Sequence, residues 1–381
     1  MPEAARGSRG TVIAVRVSTV TDFAELGGRW RDLERRADLS FFQSWTWVGC
    51  LAAERFSDPV LVEATERGRV VALALFNRVC HAVGPAVLHL GESGMAELDS
   101  PYVEQNGVLF EAGHPEDLTA ICLRAVASRY EVVLSGVGEP VLASVRRAAG
   151  LTRVERVQAS PFADLAGLRA AGGDYLARRS ANTRQQIRRS NRWYERQGPV
   201  AIELAGSVES ALSMLDEMAA LHQAAWQARG QPGSFAQPFF RRFHRELIAI
   251  GVPRGEIALL RVSDSGTLIG TLYNFVFRGR MLAYQSGFAY QAGGSPAKPG
   301  LTCHHRAILF ALDRGVEIYD FLAGEDRYKR SLADASHRQM WVVAGPPWSP
   351  RLLIRAGLDL LRRAPGEADP ARCGPSLPAA V

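Results

Sequence analysis

Apolar and polar residues alternate at the start of the chain, and apolar residues then recur at helical spacing. Ile13, Val15 and Val17 share one face of an extended run, which predicts a first strand. Two helical stretches follow, with Ser44 as a candidate N-cap, and then three strand-like runs in which ERGR marks a hairpin turn. A helix and a buried strand complete this half. The segments are, in order, DFAELGGRWRDLERRA, FFQSWTWVGCLAAERF, PVLVEATERGRVVALALFNRVC, AVLHLGES, PEDLTAICLRAVASR and YEVVLSGV.

The second half of the chain repeats this order of elements with different residues. A strand, two helices, three strands, a helix closed by Gly315 and a last strand are predicted for PVAIELA, SVESALSMLDEMAALHQAAWQARG, PFFRRFHRELIAIG, EIALLRVSDSGTLIGTLYNFVFRGRMLAYQSGFAY, GLTCHHRAILFALDRG and VEIYDFL. Between the halves, the segment ASPFADLAGLRAAGGDY is rich in Ala and Gly, which indicates a boundary between domains. We therefore expect two tandem α/β units at residues 11–165 and 166–345, with a basic helix and a Pro/Ala-rich tail at 346–381.

The composition is typical of a folded chain with two domains. Of the 381 residues, 47% are hydrophobic and 22% charged, and the net charge of +6 permits an anionic partner without requiring one. Arginine supplies almost all of the positive charge, which also suits a high-GC bacterial genome. The five cysteines are widely separated and form no CxxC pair, which argues against a zinc cluster or a disulfide framework. No metal site is expected.

The apolar runs are too short for a signal peptide or a membrane helix. TVIAVRV is broken by an arginine, and no segment approaches the roughly 20 apolar residues that span a bilayer. We therefore expect a cytoplasmic protein without an integral membrane segment. Near the C-terminus, a short basic amphipathic helix is predicted from Leu352, Leu353, Leu358 and Leu361. Docking of this helix on the domain is favoured, and contact with a membrane surface is left open.

Charged groups crowd the end of the last predicted strand, in IYDFLAGEDRYKRSLAD. Asp320 interrupts the strand, Gly324 permits a tight exit, and Glu325, Tyr328 and Lys329 follow within five residues. Ligands of α/β folds usually bind at strand ends, so the segment predicts a site. The alternative is a solvated loop in which a partly exposed Lys329 pairs with Glu325. Because the chain has only two lysines, this one is notable.

The most basic stretch is LARRSANTRQQIRRSNRWYERQG, with seven arginines and one acid. Four of these arginines recur every fourth residue and would form one stripe on a helix, with Leu176, Ile187 and Tyr194 facing inward. We call Arg184, Arg188, Arg192 and Arg196 the arginine stripe. Two interpretations remain open: a solvated face, or a cradle for a phosphorylated carrier such as coenzyme A, a nucleotide-linked sugar or a tRNA.

This order of elements, together with YDFLAGEDRYKRSLA, resembles the Fem-like branch of the GNAT acyltransferase superfamily. The resemblance is strongest to the CelD-like group, also called cellulose-biosynthesis acetyltransferases. The second of two GNAT-type folds in that group carries Asp-Phe-Leu-x-Gly and then Tyr-Lys, matched here by Asp320, Phe321, Leu322, Gly324, Tyr328 and Lys329. FFQSWTWVGCLAAERF and SANTRQQIRRSNRWYERQG are also similar, and the resemblance covers roughly residues 12–345. It implies two tandem GNAT-like units with mixed, largely antiparallel sheets flanked by helices.

The resemblance also implies roles for the charged strand end. In Fem-like ligases the lysine of the Phe/Tyr-Lys pair is implicated in acyl transfer, so Lys329 is expected to stabilise the tetrahedral oxyanion. Tyr328 would donate a proton to the leaving thiolate or ribose oxygen. The chemistry of acyl transfer, rather than the resemblance, also requires a base, and Asp320 or Glu325 would take a proton from the attacking ammonium. For Asp320, a cap of the next turn is the stronger interpretation.

In single GNAT domains a Gln/Arg-x-x-Gly-x-Gly/Ala turn before a helix binds the coenzyme A pyrophosphate. The corresponding segment here, YQAGGSPAKPGLTCHHRA, matches this pattern only at Gln291, Gly293 and Gly294. Lys298 and Gly300 would still admit a phosphate near the start of the helix. This departure from the motif leaves the identity of the acyl carrier open.

Candidate acceptor-binding residues lie elsewhere in the second unit. Tyr284 and Gln285 on a central predicted strand, together with Trp226, would line an acceptor pocket, although aromatic residues at such spacings are more often core. Cys303 beside His304 suggests a nucleophilic pair. Neighbouring residues on a helix point apart, however, so these two are expected to be ordinary helix residues.

The sequence therefore predicts an N-acyltransferase that moves an acyl group from acyl-CoA to an amine of a small molecule, glycan or peptide. The second unit would be catalytic and the first a scaffold or acceptor platform. A tRNA-dependent aminoacyl transferase of Fem type, in cell-wall or natural-product assembly, is the first alternative, weakened by the lack of a coiled-coil arm. The second is a non-catalytic partner protein in exopolysaccharide or envelope biogenesis. Neither a permanently bound cofactor nor a DNA partner is expected.

Overall fold

A computed structural model of the protein describes residues 12–196, 198–290, 296–324 and 326–362. The first elements are β1 (Ile13–Thr19) and α1 (Phe23–Glu34), and Asp22 caps α1 by accepting hydrogen bonds from two N–H groups of its first turn. The predicted second helix is instead a 3-10 turn (Phe41–Gln43), α2 (Trp45–Val48) and α3 (Ala52–Arg55). Ser44 caps α2, as predicted, whereas the left-handed backbone of Leu51 separates α2 from α3.

The rest of the first half follows the predicted order, with one additional two-residue strand and one additional helix. Its elements are β2 (Pro59–Glu66), β3 (Arg69–Val79), β4 (Val87–Leu90), β5 (Leu109–Phe110), α4 (Leu118–Ala127), β6 (Glu131–Val137) and α5 (Glu139–Ala148). The segment interpreted as a boundary between domains forms the end of a 14-residue strand, β7 (Leu151–Asp164), and a short helix, α6 (Leu165–Ala170). Most residues of β7 are only half-buried, so its sequence lacks a clear alternation.

In the second half every predicted helix and strand is present. The elements are a 3-10 turn (Leu176–Arg178), α7 (Ala181–Glu195), β8 (Val200–Leu204), α8 (Val208–Gln227), a 3-10 turn (Ser234–Ala236), α9 (Pro238–Gly251), β9 (Ile257–Asp264), β10 (Thr267–Phe277), β11 (Arg280–Phe288), α10 (Pro299–Asp313) and β12 (Ile318–Asp320). After them come α11 (Arg327–Leu332), β13 (Ala335–Gly345) and α12 (Pro350–Arg362). The sequence analysis missed β13. The predicted C-terminal helix is present as α12, in which Leu352 is buried and Leu353 and Leu358 are about half exposed. Within the described ranges, no helix has both the length and the apolar character needed to cross a bilayer.

The described chain divides into two compact units. Unit 1 comprises residues 12–94, 105–154 and 341–362, and unit 2 comprises residues 95–104 and 155–340. In unit 1, β1, β2, β3 and β4 pair in that order as antiparallel neighbours, and β6 pairs with β4 in parallel. The predicted boundary between residues 165 and 166 stays a prediction.

Unit 2 has the same succession of strands. Its antiparallel neighbours are β8, β9, β10 and β11, and β12 runs parallel to β11 after the crossover through α10. On its other side, β12 pairs antiparallel with β7. The predicted fold class, two α/β units with mixed and largely antiparallel sheets, is therefore confirmed.

Helices cover both faces of the unit 2 sheet. A Cβ added to Gly287 would lie 2.3 Å from the Met218 carbonyl oxygen of α8, whereas the next residue, Phe288, approaches Gly300 and His304 of α10. Consecutive strand residues point to opposite faces, so α8 and α10 lie on opposite sides of β11. The buried core on the α10 side includes Ile187 and Tyr194 of α7, which face inward as predicted.

The close approach of β11 to α8 predicts that Gly287→Ala destabilises unit 2. The new methyl group would overlap the α8 main chain, so we expect the free energy of unfolding to fall by about 1–3 kcal/mol. Urea unfolding followed by circular dichroism measures the change. Gly206→Ala is the matched control, because an added Cβ there meets no atom within 4 Å. Equal unfolding midpoints for the two variants would contradict this packing.

Candidate active site

Strands β11 and β12 run side by side over only three residue pairs, Arg280–Ile318, Met281–Tyr319 and Leu282–Asp320. After Asp320 the chain follows β7 instead. The Phe321 N–H donates to the Pro161 carbonyl at 2.9 Å, and the Gly324 N–H donates to the Ala159 carbonyl at 3.0 Å. Meanwhile β11 continues beside β10. A gap therefore opens between residues 283–288 and residues 321–324, and we call it the β11–β12 gap.

On the β11 side of this gap the strand has a bulge. Gln285 pairs with Tyr273 of β10 and Ala283 pairs with the next residue of β10, so Tyr284 is left without a pair on that strand. The Tyr102 hydroxyl donates to the main-chain carbonyl of Tyr284 at 2.9 Å. Its ring stacks on the Tyr284 ring with centroids 4.7 Å apart. The segment that carries Tyr102 therefore contacts β11 at its irregular position.

Two of the predicted acceptor-binding residues lie at this bulge. Tyr284 is 1% exposed, and its ring packs among Phe240, His244 and Phe275 as well as against Tyr102, so its side chain is part of the core. Gln285 is also buried, and its amide donates to the Tyr102 hydroxyl at 3.4 Å. Its Oε1 has no hydrogen-bond partner among the described residues. Gln285 thus retains an acceptor atom for a ligand.

Trp226, the third predicted acceptor-binding residue, lies near the end of β11. It is buried on α8, with its ring 5.8 Å from the ring of His222. His222 in turn contacts the Ser286 carbonyl through Nδ1 at 3.2 Å. Burial lowers the pKa of His222 to about 4, so this imidazole is neutral at physiological pH. The indole Nε1 of Trp226 has no partner in the described part of the chain.

Asp320 organises the turn on the other side of the gap. Its side chain is fully buried. One carboxylate oxygen accepts hydrogen bonds from the Leu322 N–H at 2.9 Å and the Ser160 hydroxyl at 3.2 Å, and the other accepts from Arg280 at 3.1 Å. Leu322 has a φ of +60°, a left-handed conformation that the Asp320 hydrogen bond supports. Asp320 therefore holds the turn in a shape that an ordinary loop would not keep.

Lys329 is buried, which corrects the expectation of a partly exposed side chain. It is 5% exposed on α11, and its Nζ donates to the Ala323 carbonyl at 2.8 Å and reaches the Leu322 carbonyl at 3.5 Å. Gly324 has a φ of +142°, and a Cβ there would lie 3.0 Å from Nζ. The turn glycine is therefore needed for both the backbone shape and the room that the ammonium occupies.

Glu104 is the functional candidate that the sequence analysis missed. It is 3% exposed, and its Oε2 accepts hydrogen bonds from the Ala323 N–H at 2.6 Å and from Gln339 at 3.0 Å. Burial raises the pKa of Glu104 to about 7, against the opposing effect of Lys329. In the sequence it stands in the polar run SPYVEQNG, which has no periodicity or motif that distinguishes a buried acid.

Three acids surround the Lys329 ammonium. Burial lowers the pKa of Lys329, and the charges of Glu104, Asp326 and Asp320 oppose that effect. Burial also raises the pKa of Asp326, whose Oδ2 is buried with no hydrogen-bond partner in the described ranges. Glu325, the predicted partner of Lys329, lies outside the described residues. Asp326, its neighbour in sequence, is an acid that interacts with the ammonium.

Tyr328 and His304 join this cluster to α10. Their rings stack with centroids 5.3 Å apart, and His304 Nδ1 lies 3.0 Å from the Tyr319 hydroxyl. Burial, helped by the charge of Lys329, lowers the pKa of His304 to about 3, so the ring is neutral. Burial raises the pKa of Tyr328 well above its usual value, so its hydroxyl keeps its proton. His304 was expected to be an ordinary helix residue, yet it packs directly on a candidate catalytic tyrosine.

The predicted donor-binding residues lie where α7 meets the start of α10. The Lys298 N–H donates to the Ser190 hydroxyl of α7 at 2.8 Å. Lys298 itself is exposed, as is Arg188, while Arg184 is half-buried. A Cβ on Gly300 would lie 3.3 Å from the Phe288 ring, so this glycine lets the first turn of α10 approach β11. Gly293 and Gly294 lie outside the described residues.

Residues 181–330 match the family described as Acetyltransferase (GNAT) domain. The match covers less than half of the chain; it includes Lys329 and excludes Tyr102 and Glu104. No curated protein sequence gives a significant match.

The fold is similar to three solved structures. One is the C-terminal domain of a proposed lysylphosphatidylglycerol synthetase from Agrobacterium fabrum, with a TM-score of 0.54 and 10% identity over 89% of this chain and 97% of that one. Another is FemX, with a TM-score of 0.52 and 8% identity over 86% and 96%. The third is a protein of unknown function from Bacteroides thetaiotaomicron, with a TM-score of 0.50 and 10% identity over 87% and 99%. The match of residues 181–330 to the GNAT domain confirms the predicted class, an acyltransferase.

The buried Glu104 carboxyl predicts a pH-dependent stability. Because its pKa is raised from 4.5 to about 7 on folding, the stabilisation from its bound proton is complete below about pH 4.5 and is lost as the pH rises through 7. Glu104→Gln cannot titrate. The unfolding free energy of the wild type, measured relative to this variant, should therefore fall by roughly 1–3 kcal/mol between pH 5 and 8.

Urea unfolding at both pH values measures this difference. Glu203→Gln, a change at an exposed glutamate of β8, is measured in the same way as the control. A constant difference between the wild type and Glu104→Gln across this range would show that Glu104 does not titrate there.

Proposed function

We propose that the protein is an N-acyltransferase that moves an acyl group from acyl-CoA to an amine acceptor, with the reaction in the β11–β12 gap of unit 2. One observation carries this proposal: the buried Lys329 ammonium is held at the turn that borders the gap, within a domain that matches the GNAT family. A cation in a poorly hydrated site stabilises developing negative charge more strongly than one in water. We also propose that the protein belongs to the CelD-like group of the Fem-like branch of GNAT acyltransferases.

The chemistry requires charge stabilisation on oxygen and a path for two protons. The acceptor nitrogen attacks the thioester carbonyl, a C–N bond forms, and the Lys329 ammonium stabilises the negative charge on the carbonyl oxygen. The C–S bond then breaks, the leaving thiolate takes a proton from a nearby donor, and the second proton of the acceptor nitrogen passes to that donor and restores it. Tyr328 suits this donation because burial keeps its hydroxyl protonated.

A carboxylate must first take a proton from the acceptor ammonium. Asp320 was predicted for this role, but its carboxylate already accepts three hydrogen bonds in the turn. Glu325, the other predicted acid, is outside the described residues. Asp326 has a buried oxygen without a hydrogen-bond partner among the described residues and a pKa raised by burial, which makes it a stronger base than an exposed aspartate. We therefore assign the role of general base to Asp326, and we assign to Asp320 the role of holding the turn in place.

The junction of α7 and α10 suits the phosphates of the donor. The start of a 15-residue helix carries partial positive charge, and Gly300 lets this helix end approach β11. Lys298 and the half-buried Arg184, with Arg188 one turn further along α7, would add full charges. On the acceptor side, the free Gln285 Oε1 and the Trp226 indole would recognise polar groups next to the amine.

Ligands that remain bound through native purification test this assignment directly. Native mass spectrometry should find coenzyme A or an acyl-CoA on the full chain. Retained tRNA would favour the Fem-type aminoacyl transferase, and a ligand-free protein that binds no acyl-CoA would favour a non-catalytic partner in envelope or exopolysaccharide biogenesis.

Lys329→Met should abolish most of the acyl transfer. Loss of the ammonium removes the charge that stabilises the oxyanion, so we expect the rate to fall about 100-fold or more. Lys329→Arg should restore only part of the rate, because a guanidinium cannot reproduce the compact contact with the turn. The rate is measured as thiol release from acetyl-CoA, with folding checked by circular dichroism. Arg327→Met, an exposed change on the same helix, should leave the rate intact, and near-normal turnover by Lys329→Met would remove the proposed role.

The arginine stripe is expected to contribute to donor binding through its first two members. Arg184→Gln combined with Arg188→Gln should weaken coenzyme A binding and flatten its dependence on salt, since fewer charges meet the phosphates. Isothermal titration calorimetry at two salt concentrations measures both effects. Arg129→Gln combined with Arg146→Gln, which are exposed in unit 1, is the control. Unchanged affinity at both salt concentrations would leave the stripe as a solvated face.

A further inference from the structure

Residues 95–104 belong to unit 2 although they lie far before the matched GNAT domain in sequence. Tyr102 and Glu104 are two residues apart in a segment that forms neither helix nor strand, and both side chains contact other residues of unit 2. Tyr102 contacts the Tyr284 carbonyl on β11, and Glu104 contacts Ala323 in the turn after β12. One short segment thus contacts both borders of the β11–β12 gap.

Glu104 and Lys329 are held by the same residue of the turn. The Ala323 N–H donates to Glu104 Oε2 at 2.6 Å, and the Ala323 carbonyl accepts from Lys329 Nζ at 2.8 Å. Gln339 holds the same carboxylate oxygen from β13 at 3.0 Å. A displacement of the Glu104 carboxylate would therefore release the main chain that positions the ammonium.

The charges around Lys329 also depend on Glu104. A buried ammonium tends to lose its proton unless acids compensate for the missing water. Glu104 has the largest such effect on Lys329, followed by Asp326 of the same helix region and Asp320, whose charge is shared with Arg280.

The other titratable groups near the ammonium do not supply this charge. His304 of α10 is neutral, and burial keeps the hydroxyls of Tyr328 and Tyr102 protonated. Removal of the Glu104 carboxylate would therefore withdraw the largest compensating charge.

We propose that Glu104, contributed from outside the matched domain, is a positioning residue for acyl transfer that keeps Lys329 charged and fixes the turn that presents it. This inference rests on the proposed function and deepens it, because it makes the GNAT domain incomplete without residues 95–104. Glu104 acts through Lys329 and takes no proton from the substrate in this scheme.

The presence of only two lysines makes the charge of Lys329 directly measurable. The full chain labelled with ¹³C,¹⁵N-lysine gives two side-chain signals by NMR, and Lys298→Arg assigns them. In Glu104→Gln we expect the titration midpoint of Lys329 to fall by about one pH unit or more, since an opposing charge nearby is lost. Glu104→Asp keeps the charge and should retain most of the wild-type midpoint, which separates charge from packing if the amide variant folds poorly. Glu203→Gln is the control and should leave the titration midpoint of Lys329 unchanged. A Lys329 midpoint in folded Glu104→Gln equal to that of the wild type would overturn the inference.

Kinetics supply the second measurement. Because Lys329 acts as an ammonium, the alkaline limb of the kcat/KM profile in Glu104→Gln, which reports the free enzyme, should move to lower pH by the same amount as the NMR midpoint, with the KM for acyl-CoA within about twofold. A lower kcat with an unmoved alkaline limb would reduce Glu104 to a structural residue and leave the proposed function standing. If the wild type transfers no acyl group from any acyl-CoA tested, the proposed function fails, and the Lys329 titration still decides whether Glu104 controls its charge.

Discussion

Backbone groups that leave a sheet must find new hydrogen-bond partners, and in unit 2 this constraint falls on residues 321–324. After β12 the chain stays beside β7 but no longer pairs with β11, so the N–H and carbonyl of Ala323 have no strand partner on the β11 side. Glu104 and Lys329 replace that partner. Charged groups thus complete a backbone ladder, which explains why an acid and an ammonium are buried at a position where a sheet would normally continue.

Burial changes both the electrostatic attraction and the ease of deprotonation of these charged groups. Away from water the Lys329 ammonium is attracted more strongly to nearby negative charge, and it is also easier to deprotonate. Glu104, Asp326 and Asp320 counter the second effect at different positions around the turn. Asp320 accepts hydrogen bonds from the turn, whereas Asp326 has one oxygen without a hydrogen-bond partner among the described residues, so chemically equivalent carboxylates differ in their hydrogen bonds.

The strands and helices around the gap provide rigidity rather than chemistry. The bulge at Tyr284 presents a main-chain carbonyl, and the close approaches of Gly287 to α8 and Gly300 to Phe288 bring helices tightly onto β11. His304 and Tyr328 then join α10 to the charged turn by ring stacking. The site is therefore supported by groups from several elements of unit 2 that are distant in sequence.

The sequence by itself determined the repeated order of strands and helices, since hydrophobic periodicity is a local property. It also predicted Asp320, Tyr328 and Lys329 as site candidates, because they lie within ten residues of each other. It missed β7, whose residues are mostly half-buried, and β13, and it joined short helices that the left-handed Leu51 separates. It could not find Glu104, because a carboxylate in a polar run looks solvated until the fold removes its water. Burial and pairing between residues more than 200 positions apart are decided only by tertiary structure, and these bring Glu104 to the turn that also binds Lys329.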